Sequence, residues 1–207
     1  MNKVIPKNAF DEHTTTKQKK LFTDLISKIT WAYKIAPETI NLEAGEIKEI
    51  QVFRVELKEK TDIQVLLNII DKAIPYTIVF VVDYGGMLYI STTVKHPHPI
   101  QADTSVIDWI FRTKWFSSNE NDYTFKLKKN IDSVYHDFCI RLSGHTSFAT
   151  RTLEDLIAFE KQIDALRKEI ARLKAGKASA KQFNLKVELN LELQTAEKQL
   201  RELIKCS

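Results

Sequence analysis

Hydrophobic side chains recur at alternating spacings of three and four residues along the C-terminal part of the chain. The first run ends at Leu173, small and polar residues follow at 175–179, and a second run extends from Lys181 to Lys205. Such spacing is typical of the a and d positions of a coiled coil. We therefore predict that residues 151–207 form an antiparallel helical hairpin whose apolar stripes face each other.

The two stripes also supply the residues that we expect at a protein interface. Two helices of this length have more apolar surface than they can hide from water by pairing. The rest of the chain or another protein must therefore cover the remainder. The predicted interface residues are Leu156, Phe159, Ile163, Leu166, Ile170, Leu173, Leu185, Leu189, Leu193 and Leu200.

One segment of the second run fits two templates. In FNLKVELNLEL, residues 183–193, apolar and polar residues alternate strictly, which is the pattern of a strand. However, Val187 is its only β-branched residue, and the spacing of three and four continues to Leu200. We therefore favour a helix that is apolar on more than one side.

Residues 1–150 show helical and strand patterns in mixed order. A threonine cap within 14–16, followed by an apolar face, predicts a helix that runs to about Ile35, before Pro37. Further helices are predicted from 61 or 62 to Pro75 and over 131–142, the latter ended by Gly144.

Strands are predicted where apolar residues alternate or form short continuous runs. The first places Phe53, Val55 and Leu57 towards the core and Val52, Arg54 and Glu56 towards water. The region 105–116 fits either an edge strand or a short helix. The predicted strands are 47–59, 77–82, 87–94 and 123–127, with a hairpin turn at 83–86. The fold class is therefore α+β, with a small, mostly antiparallel sheet and about three helices before the hairpin.

Composition restricts the class of protein. The 207 residues are 43% hydrophobic and 28% charged, as expected of a soluble globular protein, and the apolar runs are too short to cross a bilayer. Because the first residues lack the apolar stretch of a secretion signal, we expect a cytoplasmic location, no membrane contact, and unpaired thiols at Cys139 and Cys206. No glycine-rich phosphate loop occurs, and we predict no cofactor.

Glu56-Leu57-Lys58 is the one motif that suggests catalysis. An acidic residue and a lysine two apart on a strand point the same way, as in metal-dependent nucleases of the restriction-enzyme type. Such a site also needs an aspartate from a neighbouring strand, and the sequence shows no convincing candidate. Alternating charges on a solvated strand explain the motif more simply. We retain Glu56 and Lys58 as weak catalytic candidates.

Two further groups of residues suggest binding. Histidines 96 and 98 could approach one metal ion, but further ligands with a zinc-like spacing are missing, so we predict no metal site. Basic residues interleaved with aromatic ones are typical of nucleic-acid binding, although a strand with an apolar and a wet face accounts for most of them. The candidates are Arg112, Lys114, Lys126, Lys128 and Lys129.

Several blocks of the chain, in order, resemble the bacterial family of domain of unknown function 4391. They are IPKNAF, TKQKKLFTD, IQVFRVELKEK, IDKAIPYTIVFVV, FRTKWF and KQFNLKVELNLEL. The family has no established activity, so the resemblance supplies no catalytic residues. It does imply a setting, because the family's genes tend to lie beside helicases and DNA methyltransferases in restriction-like antiphage clusters.

We therefore expect a non-catalytic accessory or adaptor subunit whose coiled-coil arm docks a helicase or DNA methyltransferase of a defence system. A homodimer is the other assembly that the arm allows. The alternatives are a nuclease-like, metal-dependent subunit that uses Glu56 and Lys58, and a module that binds nucleic acid such as DNA.

Overall fold

A mixed sheet occupies the N-terminal part of the chain, and helices make up the C-terminal part. The computed structural model describes residues 2–100 and 105–205, and the chain divides after Gly144 into two units. The fold class is α+β, as the sequence predicts. Among the residues described, no helix combines the length and apolar character that crossing a membrane requires.

Seven strands of the sheet lie within the described residues, so it is larger than the small sheet that the sequence predicts. The strands are β1 (Lys3–Ile5), β2 (Ile26–Ile35), β3 (Ile50–Leu57), β4 (Thr77–Tyr84), β5 (Met87–Pro97), β6 (Ser105–Arg112) and β7 (Phe116–Ser117). Their order is β1-β2-β3-β4-β5-β6, and β7 also pairs with β5. Strands β3 and β4 are parallel because a helix carries the chain back between them, and the other pairs are antiparallel.

The helices account for most of the remaining chain. They are α1 (Thr16–Leu25), α2 (Pro37–Ile40), α3 (Gln64–Ala73), α4 (Ile131–Ser143), α5 (Leu153–Ser179) and α6 (Phe183–Lys205), with 3-10 helices at Lys7–His13, Ser118–Glu120 and Thr146–Thr150. The predicted cap of the first helix is confirmed, because the Thr15 hydroxyl accepts the Gln18 N–H and the Gln18 side chain accepts the Thr15 N–H. Gly144 ends α4 in the left-handed conformation, at φ 78°.

Different helices pack against the two faces of the sheet. On the first face, called the α3 face, side chains of β3 and β4 such as Val55, Phe80 and Val82 join α1 and α3 in one apolar core. On the second, called the α4 face, the Tyr135 hydroxyl of α4 lies 3.0 Å from the Thr92 hydroxyl of β5. Val52 was predicted to face water, but it is buried because the α4 face is covered as well.

The first helix is shorter than predicted. It ends at Leu25, and residues 26–35 form β2 instead of a helical continuation to Ile35. This segment is rich in isoleucine, aromatic residues and threonine, which favour strands, and Ile29 is fully buried in register with Val55 of β3. Pairing with the central sheet therefore outweighs the helical spacing of its apolar residues.

The local sequence pattern did not determine the structure of two other segments, 105–116 and 123–127. The ambiguous region becomes strand β6, hydrogen-bonded to β5, followed by the short β7. The strand predicted at 123–127 is wrong, because residues 121–129 carry no ladder hydrogen bonds. Tyr123, Phe125 and Leu127 still share one side of this extended loop, which explains their alternation.

The C-terminal unit contains a pair of antiparallel helices. Lys177 of α5 donates to the Asn190 side chain at 2.6 Å, while Lys174 pairs with Glu197 at 3.0 Å, so earlier residues on α5 meet later residues on α6. The turn lies at 180–182 and not at 175–179, because the small residues before it remain helical. The strand template at 183–193 is wrong, as the preference for helix predicts.

Candidate functional site

Most residues of the predicted interface are already used within the chain. Four side chains of the two helices, Ile170, Leu173, Leu193 and Ala196, form an apolar cluster with Leu189 and Leu200 at its margin. Leu156, Phe159 and Ile163 are also buried. We call the cluster and its margin the seam, and its first role is to hold α5 and α6 together.

A second apolar row on α6 is exposed. Phe183, Val187 and Leu191 expose 77%, 44% and 59% of their surface. Their four-residue spacing aligns them along one side of the helix, and a rotation of about 100° per residue places that side roughly opposite Leu189 and Leu193 of the seam. We call this row the outer stripe. It is the surplus apolar surface that the sequence predicts for α6.

The outer stripe occupies only the first part of α6. Further along the same side of the helix the chain carries Gln194, Lys198 and Arg201, all exposed. Apolar surface that is bounded by polar residues in this way is typical of a contact site on a soluble protein. The row therefore has a defined start at the turn and a defined end beyond Leu191.

The Glu56 motif gains a carboxylate neighbour that the sequence could not identify. In the parallel register of β3 and β4, Glu56 lies opposite Asp83, on the α4 face. The Asp83 carboxylate pairs with the guanidinium of Arg54, which lies two residues before Glu56 on the same face. Only strand register brings these groups together, since they are far apart in the chain.

The lysine of the motif is engaged elsewhere. The Lys58 Nζ donates to the carbonyl of Thr23 at 2.7 Å, at the end of α1, and the Lys58 N–H donates to the carbonyl of Leu25. Over residues 2–100 and 105–205, no group of three or more histidine, cysteine, aspartate or glutamate side chains is arranged to hold a metal ion. The motif therefore presents two neighbouring carboxylates, one of them neutralised.

Two of the five basic candidates, Arg112 and Lys128, lie on opposite faces of the sheet. The Arg112 guanidinium lies 4.3 Å from the ring centre of Tyr89, on the α3 face, and pairs with Asp62 at 2.7 Å. Lys128 pairs with Asp137 of α4 at 2.7 Å. Lys114, Lys126 and Lys129 are exposed. Nucleic-acid binding stays a prediction, with two of its five cations engaged by carboxylates.

The two histidines have different partners. His96 Nδ1 lies 2.8 Å from Asp108 Oδ2 of β6, and His98 Nδ1 accepts the N–H of Ile100 at 3.2 Å. Within the part of the chain that the structure describes, neither histidine belongs to a group of three or more possible metal ligands.

A buried ion pair on the α3 face was not predicted. Lys95 of β5 donates to Asp71 Oδ1 at 3.0 Å and to the carbonyls of Asp71 and Ile74, and the Thr93 hydroxyl donates to the other Asp71 oxygen. Burial raises the pKa of Asp71 and lowers the pKa of Lys95. Because all three protons of the ammonium group are donated, this pair links β5 to α3 and leaves no donor for a substrate.

Comparison with known proteins gives one match. The family model described as domain of unknown function 4391 matches residues 1–200 of the chain. No curated protein and no solved structure matches it.

Proposed function

We propose that this chain, which belongs to the family of domain of unknown function 4391, is a non-catalytic adaptor subunit that docks a larger enzyme through α6. The observation that carries this proposal is the outer stripe, three apolar side chains exposed in one row on the side away from the seam. A helix that pairs through one side and exposes apolar residues on another can pack against a third helix.

The size of the stripe fits an auxiliary contact. Full burial of a large apolar side chain contributes about 1.5–3 kcal/mol, so covering the exposed parts of Phe183, Val187 and Leu191 contributes on the order of 3–5 kcal/mol. Association itself costs several kcal/mol in lost freedom. The stripe therefore fixes where a partner binds, and further contacts of that partner add to the affinity.

The partner that we propose is a helicase or DNA methyltransferase of a bacterial antiphage system, which contributes an apolar helix that forms a coiled coil with the hairpin. The neighbourhood implied by the family resemblance supports this choice. A cytoplasmic location and proximity to DNA are parts of the same proposal. A second copy of the chain is the alternative partner.

The experiment compares two double substitutions on α6 with the same spacing. Val187→Glu with Leu191→Glu places two charges in the outer stripe. The control, Thr195→Glu with Gln199→Glu, places two charges at exposed positions about 80° away around the helix. The neighbouring genes are co-expressed, and complexes are measured by co-purification and size-exclusion chromatography with light scattering.

We expect the stripe variant to lose the complex and the control to keep it, while both variants melt within a few degrees of the wild type. Retention of the complex by the stripe variant overturns the proposal. A wild-type dimer that the stripe variant converts to a monomer, without any heterologous complex, identifies a second copy as the partner.

A second candidate function rests on the register of Glu56 with Asp83, which supplies the second carboxylate that a metal-dependent nuclease needs. The test incubates purified protein, alone and with its neighbours, with plasmid DNA and Mg²⁺ or Mn²⁺. Nicking by the wild type and by Glu59→Ala, an exposed neighbour, but not by Glu56→Ala supports a nuclease. If the wild-type protein does not nick the plasmid, the nuclease proposal is rejected.

A further inference from the structure

A cavity of about 410 Å³ lies on the α4 face of the sheet. Val52, Val79 and Val81 of the central strands form its floor, Phe138 of α4 closes one side, and the loop that carries Tyr123 closes another. Binding sites for small molecules typically have volumes of about 300–1,000 Å³ and a mostly apolar lining. The cavity therefore has the size and the lining of a small-molecule site.

The mouth of the cavity keeps apolar side chains in contact with water. Tyr33 of β2 is 66% exposed and Leu127 of the loop is 54% exposed, and both line the cavity. Val81 is only half-buried although it lies at the centre of the sheet. A ligand that enters would cover all three, which gives it apolar contacts from the floor and from the rim.

The cations next to the cavity are already paired with carboxylates of the protein. Lys34, which lines the cavity, pairs with Glu38 at 2.7 Å and with Glu49 at 2.8 Å. Arg54, which follows Val52 on the same face, pairs with Asp83. Because these cations already have carboxylate partners, neither is available to an anionic ligand, and none of the described residues in the lining offers a carboxylate to a cationic one.

From this volume, the apolar lining and the pairing of the nearby cations, we propose that the α4 face holds a binding site for a small neutral molecule with an aromatic or aliphatic body. Phe125 of the loop and Phe138 of α4 stack with ring centres 4.4 Å apart, and together with Tyr123 they give the lining an aromatic side against which a ligand can pack. All residues of the lining belong to the first unit, so the proposal does not rest on the adaptor role. The volume suits a single small molecule, whereas a partner helix, about 10 Å across, needs a longer groove.

The test uses the full-length chain and N-phenyl-1-naphthylamine, a neutral dye whose fluorescence increases in apolar surroundings. We expect saturable binding of one dye per chain. Val81→Phe fills the floor and Leu127→Trp fills the mouth from an exposed loop position, which leaves the folded sheet intact. Each should weaken binding about 10-fold or more. The matched control is Val65→Phe, on the exposed side of α3, which should bind as the wild type does.

The following outcomes contradict the proposed binding site. Absence of saturable binding by the wild type, or unchanged binding by both filling variants, overturns the proposal. If Val187→Glu with Leu191→Glu removes the fluorescence, the dye binds the outer stripe of α6 instead. If dye affinity falls as protein concentration rises and the chain elutes as a dimer, a second copy occupies the cavity.

Discussion

The two faces of the sheet receive similar apolar residues but are covered in different ways. On the α3 face, two helices and a 3-10 helix pack into a core where Phe53 and Phe80 meet edge to face at 6.0 Å. On the α4 face, α4, the four-residue α2 and an extended loop border a cavity above the strands. A helix brings a continuous apolar side to a sheet, whereas a loop brings isolated side chains. The α3 face therefore stabilises the fold, and the α4 face retains room for a ligand.

The sharpest test of this difference is the buried ion pair of the α3 face. Lys95→Met should lower the free energy of unfolding by about 3–5 kcal/mol at pH 7, because it leaves the Asp71 carboxylate buried without its cation. Burial already raises the pKa of Asp71 above that in the unfolded chain. The folded variant therefore binds a proton more tightly than the unfolded one, so its stability should increase as the pH falls from 7 to 5.

Urea unfolding at both pH values measures this effect. The control is Lys72→Met on α3, an exposed lysine that should show neither the loss nor the gain. A Lys95→Met variant as stable as the wild type at pH 7 would show that the α3 face tolerates an isolated charge.

Neighbouring valines of β4 compare the two faces directly. Val82 is fully buried on the α3 face, while Val81 is half-buried at the cavity. We expect Val82→Ala to destabilise the protein by about 2 kcal/mol, because it leaves a hole in close-packed surroundings. Val81→Ala should cost less than about 1 kcal/mol, because it enlarges an existing cavity. Equal losses in guanidinium unfolding would contradict the difference between the faces.

The Asp132 carboxylate links the first turn of α4 to residues 45–47. Asp132 near the start of α4 accepts the backbone N–H groups of Gly45, Glu46 and Ile47 at 2.8, 3.0 and 3.2 Å. Asp132→Ala should cost roughly 1.5 kcal/mol through the loss of these charged hydrogen bonds, with faster hydrogen exchange at residues 45–47. Asp137→Ala, a substitution of another aspartate on α4, should leave that exchange unchanged.

The smallest expected effect concerns the polar contact between α4 and the sheet. The Tyr135 hydroxyl donates to the Thr93 carbonyl at 2.8 Å. Tyr135→Phe keeps the ring and should cost about 1 kcal/mol in urea unfolding, the usual worth of one hydrogen bond. If Tyr135→Phe lowers the free energy of unfolding by more than about 3 kcal/mol, the hydroxyl contributes more than one ordinary hydrogen bond. The contact of α4 with the sheet would then be as important for stability as that of α3.

Sequence patterns predicted the parts of the fold that depend on local chemistry. Buried β4, the turn before β5 and the end of α4 at Gly144 follow from apolar runs and glycines with positive φ. The segment 26–35 could not be assigned in this way, because its apolar residues fit both helical and alternating spacing. Its partner strand, about twenty residues later, decided the outcome.

The candidate sites show the same limit. The surplus apolar surface of α6 is visible in the sequence, because it follows from the spacing along one helix. The proximity of Glu56 and Asp83 depends on the register of two strands, and the cavity depends on how the loop at 121–127 lies on the sheet. Neither follows from spacing within one segment.

The outer stripe occupies only the first part of α6, so it fixes at which end of the helix a partner can bind. From Phe183 to Leu191 the attachment region measures about 12 Å, and the remaining helix to Lys205 adds about 21 Å of hydrophilic rod along the same side. A protein that packs on the outer stripe would therefore contact α6 beside the turn and leave the end near Lys205 in contact with water. If the partner proposed above binds there, a fluorophore at residue 205 reports its binding through energy transfer and leaves the outer stripe uncovered.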